Sequence, residues 1–165
     1  MRFNLNDIVG KPGAKKPFAS SLDLGDLSFP QVERLDSPFP ASGAVANVAG
    51  ALELTGTLET SVTYVCDRCM APVLVQESLP VTAHLAEELV DEEHPDIFLL
   101  ENGSIDLDEV FATAFVLNMD SKFVCDEDCQ GLCTVCGANL NTESCTCHKE
   151  VDPRLAALQQ LLDTE

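Results

Sequence analysis

The sequence predicts an α+β fold: an antiparallel, curved β sheet, one packed helix, and a cysteine-rich C-terminal tail that ends in a short helix. Three observations carry this. Two long runs of alternating apolar and polar residues meet at a Cys-x-x-Cys turn. One amphipathic segment opens on an aspartate placed to cap a helix. Six of the eight cysteines then fall within residues 125–147. The length of 165 residues suits one domain with a small appended module. The boundaries expected are 1–120 for the α+β core and 121–165 for the tail.

Taken in order, Phe3, Leu5 and residues 7–9 suggest a short first strand. Pro12, Gly13, Pro17, Pro30, Pro38 and Pro40 break the pattern that follows, and Leu22, Leu24 and Leu27 fit either a strand or a turn of helix. Residues 45–48 add a strand to the sheet. From 51 to 65 the period is two: Leu52, Leu54, Leu58, Val62 and Tyr64 share one face, and Glu53, Thr55, Thr57, Glu59, Ser61 and Thr63 the other. Gly56 interrupts the apolar face, which suggests a bulge or bend. A second alternating run carries Val73, Val75, Leu79, Val81, Ala83 and Leu85 on its inner side. Cys66-Asp67-Arg68-Cys69 joins the two runs, so a hairpin with a cysteine pair at its tip is the economical reading.

The acidic run 87–93 reads as a hydrated loop, and residues 97–100 as a short buried strand closed by Asn102-Gly103. Asp106 is placed to cap a helix, and Glu109 to complete a capping box. Leu107, Val110, Phe111, Ala114 and Leu117 then follow at helical spacing, which would lay this helix on the sheet. Pro153, capped by Asp152, starts the final helix, with Leu155, Leu158, Leu161 and Leu162 as its stripe.

The chain carries 28 acidic and 9 basic residues, a net charge of −19, and a pI near 4.2. A phosphate-binding surface needs clustered Lys and Arg, because binding is driven by displaced counterions. The densest basic group, Lys11, Lys15 and Lys16, reads as a solvated loop. There is no Trp, and Phe and Tyr together number nine, so stacking platforms for single strands are not expected. Such a chain more naturally meets a basic protein. The first ten residues show no secretory pattern and no run reaches 18 apolar residues, so a cytoplasmic protein with no membrane contact is expected. Thiols stay reduced there, and paired cysteines in that compartment are more often metal ligands than disulfides.

The eight cysteines form four pairs: Cys66 and Cys69, Cys125 and Cys129, Cys133 and Cys136, Cys145 and Cys147. Eight thiols make two four-sulfur sites, and zinc favours four thiolates in a closed shell. One or two structural zinc ions are therefore expected. Cys133-Thr134-Val135-Cys136-Gly137 has the form of a zinc knuckle, and Cys145 and Cys147 are its nearest partners downstream. Cys66, Cys69, Cys125 and Cys129 would then tie the hairpin tip to the segment after the helix. The other combination joins Cys125, Cys129, Cys133 and Cys136 and leaves Cys66, Cys69, Cys145 and Cys147. His148 is an alternative ligand beside Cys147, with a solvated neighbour the simpler reading. His84 and His94 carry no ligand spacing.

Catalysis finds no support. Redox use of a C-x-x-C pair requires a thioredoxin-like βαβ setting, which is missing here. Catalytic zinc keeps an open coordination position, whereas four thiolates close the shell. No zincin motif, glycine-rich phosphate loop or nucleophile–base set is legible, and no small-molecule substrate is implied.

Four segments together resemble the YceD family of bacterial and plastid proteins, over roughly residues 40–162. They are Cys66-Asp67-Arg68-Cys69; Ile105-Asp106-Leu107-Asp108-Glu109 opening a helix; the block from Cys125 through Cys129-Gln130-Gly131-Leu132-Cys133-Thr134-Val135-Cys136-Gly137; and Asp152-Pro153-Arg154-Leu155. The linker 118–124 departs from the apolar, proline-containing pattern usual in the family. The resemblance implies a role in accumulation or processing of 23S ribosomal RNA, hence in large-subunit assembly, and no established catalytic activity. Combined with the charge, it points to a non-enzymatic factor working through ribosomal or rRNA-processing proteins. Direct binding of rRNA by a zinc-ribbon-type surface is the alternative, which the charge disfavours.

Overall fold

The computed structural model describes residues 1–25, 27–87 and 97–147. The expected final helix, His94, His148 and most of the acidic run lie outside them. The chain divides into two compact units: Met1–Val65 with Pro72–Phe123, and Cys66–Ala71 with the chain from Val124 onward.

Among the described residues the first unit is mostly sheet with one helix. Its strands are β1 (Arg2–Asn4), β2 (Lys15–Leu22), β3 (Val32–Leu35), β4 (Phe39–Val48), β5 (Ala51–Val65), β6 (Pro72–Ala86), β7 (Ile97–Leu99) and β8 (Ser104–Asp106); the helix is α1 (Leu107–Asn118). The main sheet is open, in the order β2-β4-β5-β6-β7, and β3 pairs with β5 beyond the end of β4. β1 and β8 form a separate antiparallel pair.

β5 and β6 are the alternating runs, paired from Leu52↔Leu85 to Val65↔Pro72 without a break. Leu52, Leu54, Leu58 and Val62 are buried, as are Val81, Ala83 and Leu85. Gly56 marks no bulge: the register passes through it on both sides. It faces Gly43, and the two glycines leave room for the Phe18 ring. A Cβ on Gly43 would lie 2.2 Å from the Thr55 carbonyl oxygen and 2.9 Å from Phe18 Cζ; one on Gly56 would lie 2.7 Å from the Ser42 carbonyl oxygen. Close backbone approach is what requires glycine here.

The proline-rich stretch holds three strands where the sequence suggests interruption. β2 is an edge strand, where Pro17 removes no ladder donor that the sheet needs. Residues 7–9, expected in the first strand, instead form a turn in which the Ile8 and Val9 N–H groups donate to the Leu5 carbonyl. β4 and β5 are joined by Ala49-Gly50, both at positive φ (54° and 102°). Asn47, the one buried polar residue among those described, holds this turn: its Oδ1 accepts from Gly50 N–H at 2.9 Å and its Nδ2 donates to the Ile8 carbonyl at 3.0 Å. β7 pairs parallel to β6, an exception to the expected antiparallel pattern. The long connection 87–96 permits this, whereas a tight turn would not.

α1 starts where expected. Asp106 caps it, but through the N–H of Asp108 at 3.0 Å rather than a box with Glu109. The buried face is Leu107, Val110, Phe111 and Phe115; Leu117 is 74% exposed. Leu117 falls to the edge of the stripe, while Phe115, one turn beyond Phe111, meets Phe29 and Phe39. Phe111 packs edge-on to Phe18 at 5.8 Å. After the helix, the unusual linker returns to the same unit: Gln31 Nε2 donates to the Asp120 carbonyl, and Phe123 stacks on Tyr64 at 4.8 Å. The basic cluster is not a free loop. Lys15 and Lys16 lie in β2, and Lys16 Nζ donates to Asp7 Oδ1 and the Asn4 carbonyl while lying over the Phe3 ring. No helix among the described residues is long and apolar enough to cross a membrane.

Candidate metal centre

The described residues of the second unit form turns, and their geometry begins with a backbone device used twice. In Cys66-Asp67-Arg68-Cys69-Met70-Ala71 the Met70 N–H donates to the Cys66 carbonyl and the Cys66 N–H to the Ala71 carbonyl, both at 2.9 Å. In Cys133-Thr134-Val135-Cys136-Gly137-Ala138 the matching bonds, Gly137 to Cys133 and Cys133 to Ala138, are both 2.8 Å. The fifth residue takes positive φ in each turn, 60° at Met70 and 76° at Gly137. That conformation turns the chain back so that both cysteines of a pair point to one centre. Glycine adopts it freely; a methionine does so under strain.

The turns bring the eight cysteines into two tetrads, Cys66–Cys69–Cys125–Cys129 and Cys133–Cys136–Cys145–Cys147. Within each, the sulfurs all lie within 4.8 Å of one another. Cys66 and Cys129 sulfurs are 3.9 Å apart, Cys69 and Cys125 3.6 Å, Cys136 and Cys145 3.5 Å, and Cys133 and Cys145 3.4 Å. A tetrahedral ion with metal–sulfur bonds of about 2.3 Å sets its sulfurs about 3.8 Å apart, and a disulfide would bring two of them to about 2.05 Å. The spacing suits ligands of one ion, and all eight cysteines are free thiols. Of the two groupings the sequence leaves open, this is the one that unites the hairpin tip with Cys125 and Cys129. His84 lies exposed on β6, outside both groups.

The tetrads differ in setting. Cys66, Cys69 and Cys129 are buried, forming a small core with Ala71, Val124 and Leu132 around them. Cys136 and Cys147 are exposed. Around the buried tetrad, Cys125 N–H and Asn141 Nδ2 donate to the sulfurs of Cys66 and Cys129, each at 3.4 Å. Arg68 ties the two ligand-bearing segments: its guanidinium donates to the carbonyls of Glu127 (2.9 Å) and Cys129 (3.1 Å), and its own carbonyl accepts from Leu132. Gly131, at φ 74°, passes so close that a Cβ would meet that Arg68 oxygen at 3.0 Å. Around the exposed tetrad the donors are backbone, Val135 N–H to Cys133 and Cys147 N–H to Cys145.

Thiol acidity follows from this packing. Burial pushes the Cys66 thiol up, but the N–H groups of Cys125, Cys69 and Arg68 outweigh it and bring it down to about 6. The N–H groups of Cys136 and Val135 likewise lower Cys133 to about 6. The last sulfur in each group is hard to ionise. Cys125, against Cys66 and Cys129, is pushed up to about 12, and Cys147, against Cys145 and Cys136, also to about 12. Four negative sulfurs at this spacing repel one another unless a cation sits between them. Zinc, which takes closed four-thiolate shells, fits both donor sets.

The sequence identifies the cysteines but not their supports. Arg68, Asn141 and the strained Met70 carry no spacing signal. The one available clue is that Ala71 and Ala138 follow the two C-x-x-C turns at the same offset.

Comparison with known proteins bears on the whole chain. An uncharacterized protein of Mycobacterium tuberculosis is 31% identical over 99% of this chain and 75% of its own length, and one of Mycobacterium bovis matches equally. The maize (Zea mays) chloroplastic protein named large ribosomal RNA subunit accumulation protein YCED homolog 1 is 29% identical over 79% of this chain and 62% of its own. No solved structure matches. The family model described as large ribosomal RNA subunit accumulation protein YceD matches residues 54–162, which take in most of β5, the cysteine hairpin, the capped helix and both tetrads, and the chain belongs to that family.

Proposed function

We propose that this protein is a cytoplasmic, non-enzymatic ribosome-assembly factor that supports accumulation or processing of 23S rRNA. It carries two structural zinc ions, and its partners are basic ribosomal or rRNA-processing proteins. The observation that carries the ribosomal role is the family match over residues 54–162. The zinc reading rests on the sulfur spacing, the all-cysteine make-up of each tetrad among the described residues, and the mutual repulsion of the thiolates. The eight cysteines hold the ions, which supply a cross-link between distant segments and no reactive position. Each four-thiolate site retains a charge of about −2.

Protein partners are favoured over RNA by the fate of the basic residues. Arg2, Arg34 and Lys16 each sit on a carboxylate, Glu101, Asp36 and Asp7, and Arg68 is committed to backbone carbonyls. Four of the nine basic residues are so engaged, and a net charge of −19 opposes displacement of counterions from phosphate by the others. The test is affinity capture from cell extract after nuclease treatment. Retention of ribosomal or processing proteins supports the reading; their loss under nuclease means RNA bridging, and a gel shift with a steep salt slope would then favour direct rRNA binding. Depletion of the protein should lower 23S rRNA relative to 16S, and an unchanged ratio would overturn the ribosomal role.

A further inference from the structure

The Asn141 side chain reaches a ligand of the buried tetrad from a loop of the exposed one, a contact that neither tetrad requires for its own closure. Its Oδ1 accepts from Gln130 N–H at 2.8 Å, and its Nδ2 donates to Asn139 Oδ1 at 2.8 Å and to Cys129 Sγ at 3.4 Å. The Gln130 contact settles the orientation of the amide: flipped, it would set N–H against N–H and a carbonyl oxygen against the sulfur. The residue belongs to the loop 137–144, whose ends are Cys136 and Cys145 of the exposed tetrad, with sulfurs 3.5 Å apart. The loop is also held by Leu140 N–H to the Gly131 carbonyl, by the bridge between Leu132 and Asn139, and at its first end by the bonds of Gly137 and Ala138 to Cys133. A donor to a ligand of the buried tetrad is thus carried on a loop that the exposed tetrad closes.

We infer that Asn141 is a positioning residue through which occupancy of the exposed tetrad tightens metal binding at the buried one. The inference rests on the proposed zinc reading. An N–H directed at a coordinating thiolate draws off part of its charge and fixes its direction, and removing such support from a ligand weakens metal affinity by about 10–100-fold. When the exposed tetrad is empty the loop keeps these backbone bonds but loses the closure between Cys136 and Cys145, and the donor is less firmly placed. Linkage makes the effect reciprocal: the factor by which the exposed ion tightens the buried one equals the factor by which the buried ion tightens the exposed one.

The test uses the full reduced chain with Co²⁺ and Zn²⁺ as probes, a competing chelator for affinity, and the thiolate-to-cobalt charge-transfer band as the spectroscopic readout. Asn141→Ala should lower the affinity of the buried tetrad by at least about tenfold and move its band to longer wavelength, because the freed sulfur donates more readily. Cys145→Ser, which disables the exposed tetrad, should weaken the buried tetrad to a similar degree, and adding Asn141→Ala to it should change nothing more. Asn141→Asp keeps the acceptor for Gln130 but turns an oxygen toward the sulfur; it should weaken the buried tetrad further, and it decides the matter if Cys145→Ser does not fold. Affinity within twofold of wild type and an unmoved band in both Asn141 variants overturn the inference while two metals remain bound. A wild-type chain that takes up neither metal overturns the zinc reading itself, which is a distinct result.

Discussion

Two glycines and one methionine show how single backbone positions set local stability. Gly43 and Gly56 face one another beneath Phe18, and a methyl group at Gly43 meets the β5 backbone at Thr55 and Gly56 and the Phe18 ring. Gly43→Ala should destabilise the first unit by about 3 kcal/mol or more and Gly56→Ala by less, measured by urea unfolding. Met70 holds a positive φ that its counterpart Gly137 adopts without strain. Because Met70 is 61% exposed, Met70→Gly removes little packing and should stabilise the loaded second unit by about 1 kcal/mol, read from the midpoint of chelator-free thermal melting. Met70 sits in a cysteine turn whose backbone need is visible only by superposing it on the second one.

At the scale of elements, α1 is joined to the sheet by aromatic side chains. Phe111→Ala should cost about 3–5 kcal/mol, since the ring is fully buried against Phe18. Leu117→Ala should stay within about 0.5 kcal/mol, although both residues belong to the apolar pattern read from the sequence. Period alone places Leu117 near the buried stripe; only the position of Phe29 and Phe39 shows that the last turn is held through Phe115 instead. β5, β6, their cysteine tip and the Asp106 cap are legible because their alternation or capping signal is local and unbroken. β2 and β4 are not. Lys16 and Ser20 fall on the same face of β2 as buried Phe18 and Leu22, and β4 is written in Ala, Gly and Ser. Small residues in β4 answer to close strand packing, a long-range fact that local pattern does not carry. The tetrads follow the same rule: cysteine pairs are local, and their combination depends on which distant turns the chain brings together.

For the molecule as a whole, metal and proton compete for the same sulfurs. Without metal, Cys125 and Cys147 keep their protons at pH 7, because neighbouring thiols hold them up to about 12. Loading must expel those protons, so affinity should rise by about tenfold per pH unit for each proton released. Cys66 and Cys133, at about 6, are already largely ionised at neutrality; below pH 6 they too take up protons, and metal loss should steepen there. Chelator competition across pH 5–9 measures this, and a flat profile would refute it. Chelation at neutral pH should disorder the second unit, whose buried apolar core among the described residues is three cysteines with Ala71, Val124 and Leu132 around them, while the β signal of the first unit persists in far-UV circular dichroism.

The wide separation of Cys66 and Cys129 along the chain, 63 positions, also sets an order of events during synthesis. A ribosome translating this message releases the hairpin dithiol long before its partners exist. The pair at 133–136 meets 145–147 almost at once. The buried cluster is still the first to have all its ligands, at residue 129 and before Cys145 and Cys147 are made, and until then the early dithiol is the nascent chain's exposed oxidisable point, dependent on reducing surroundings.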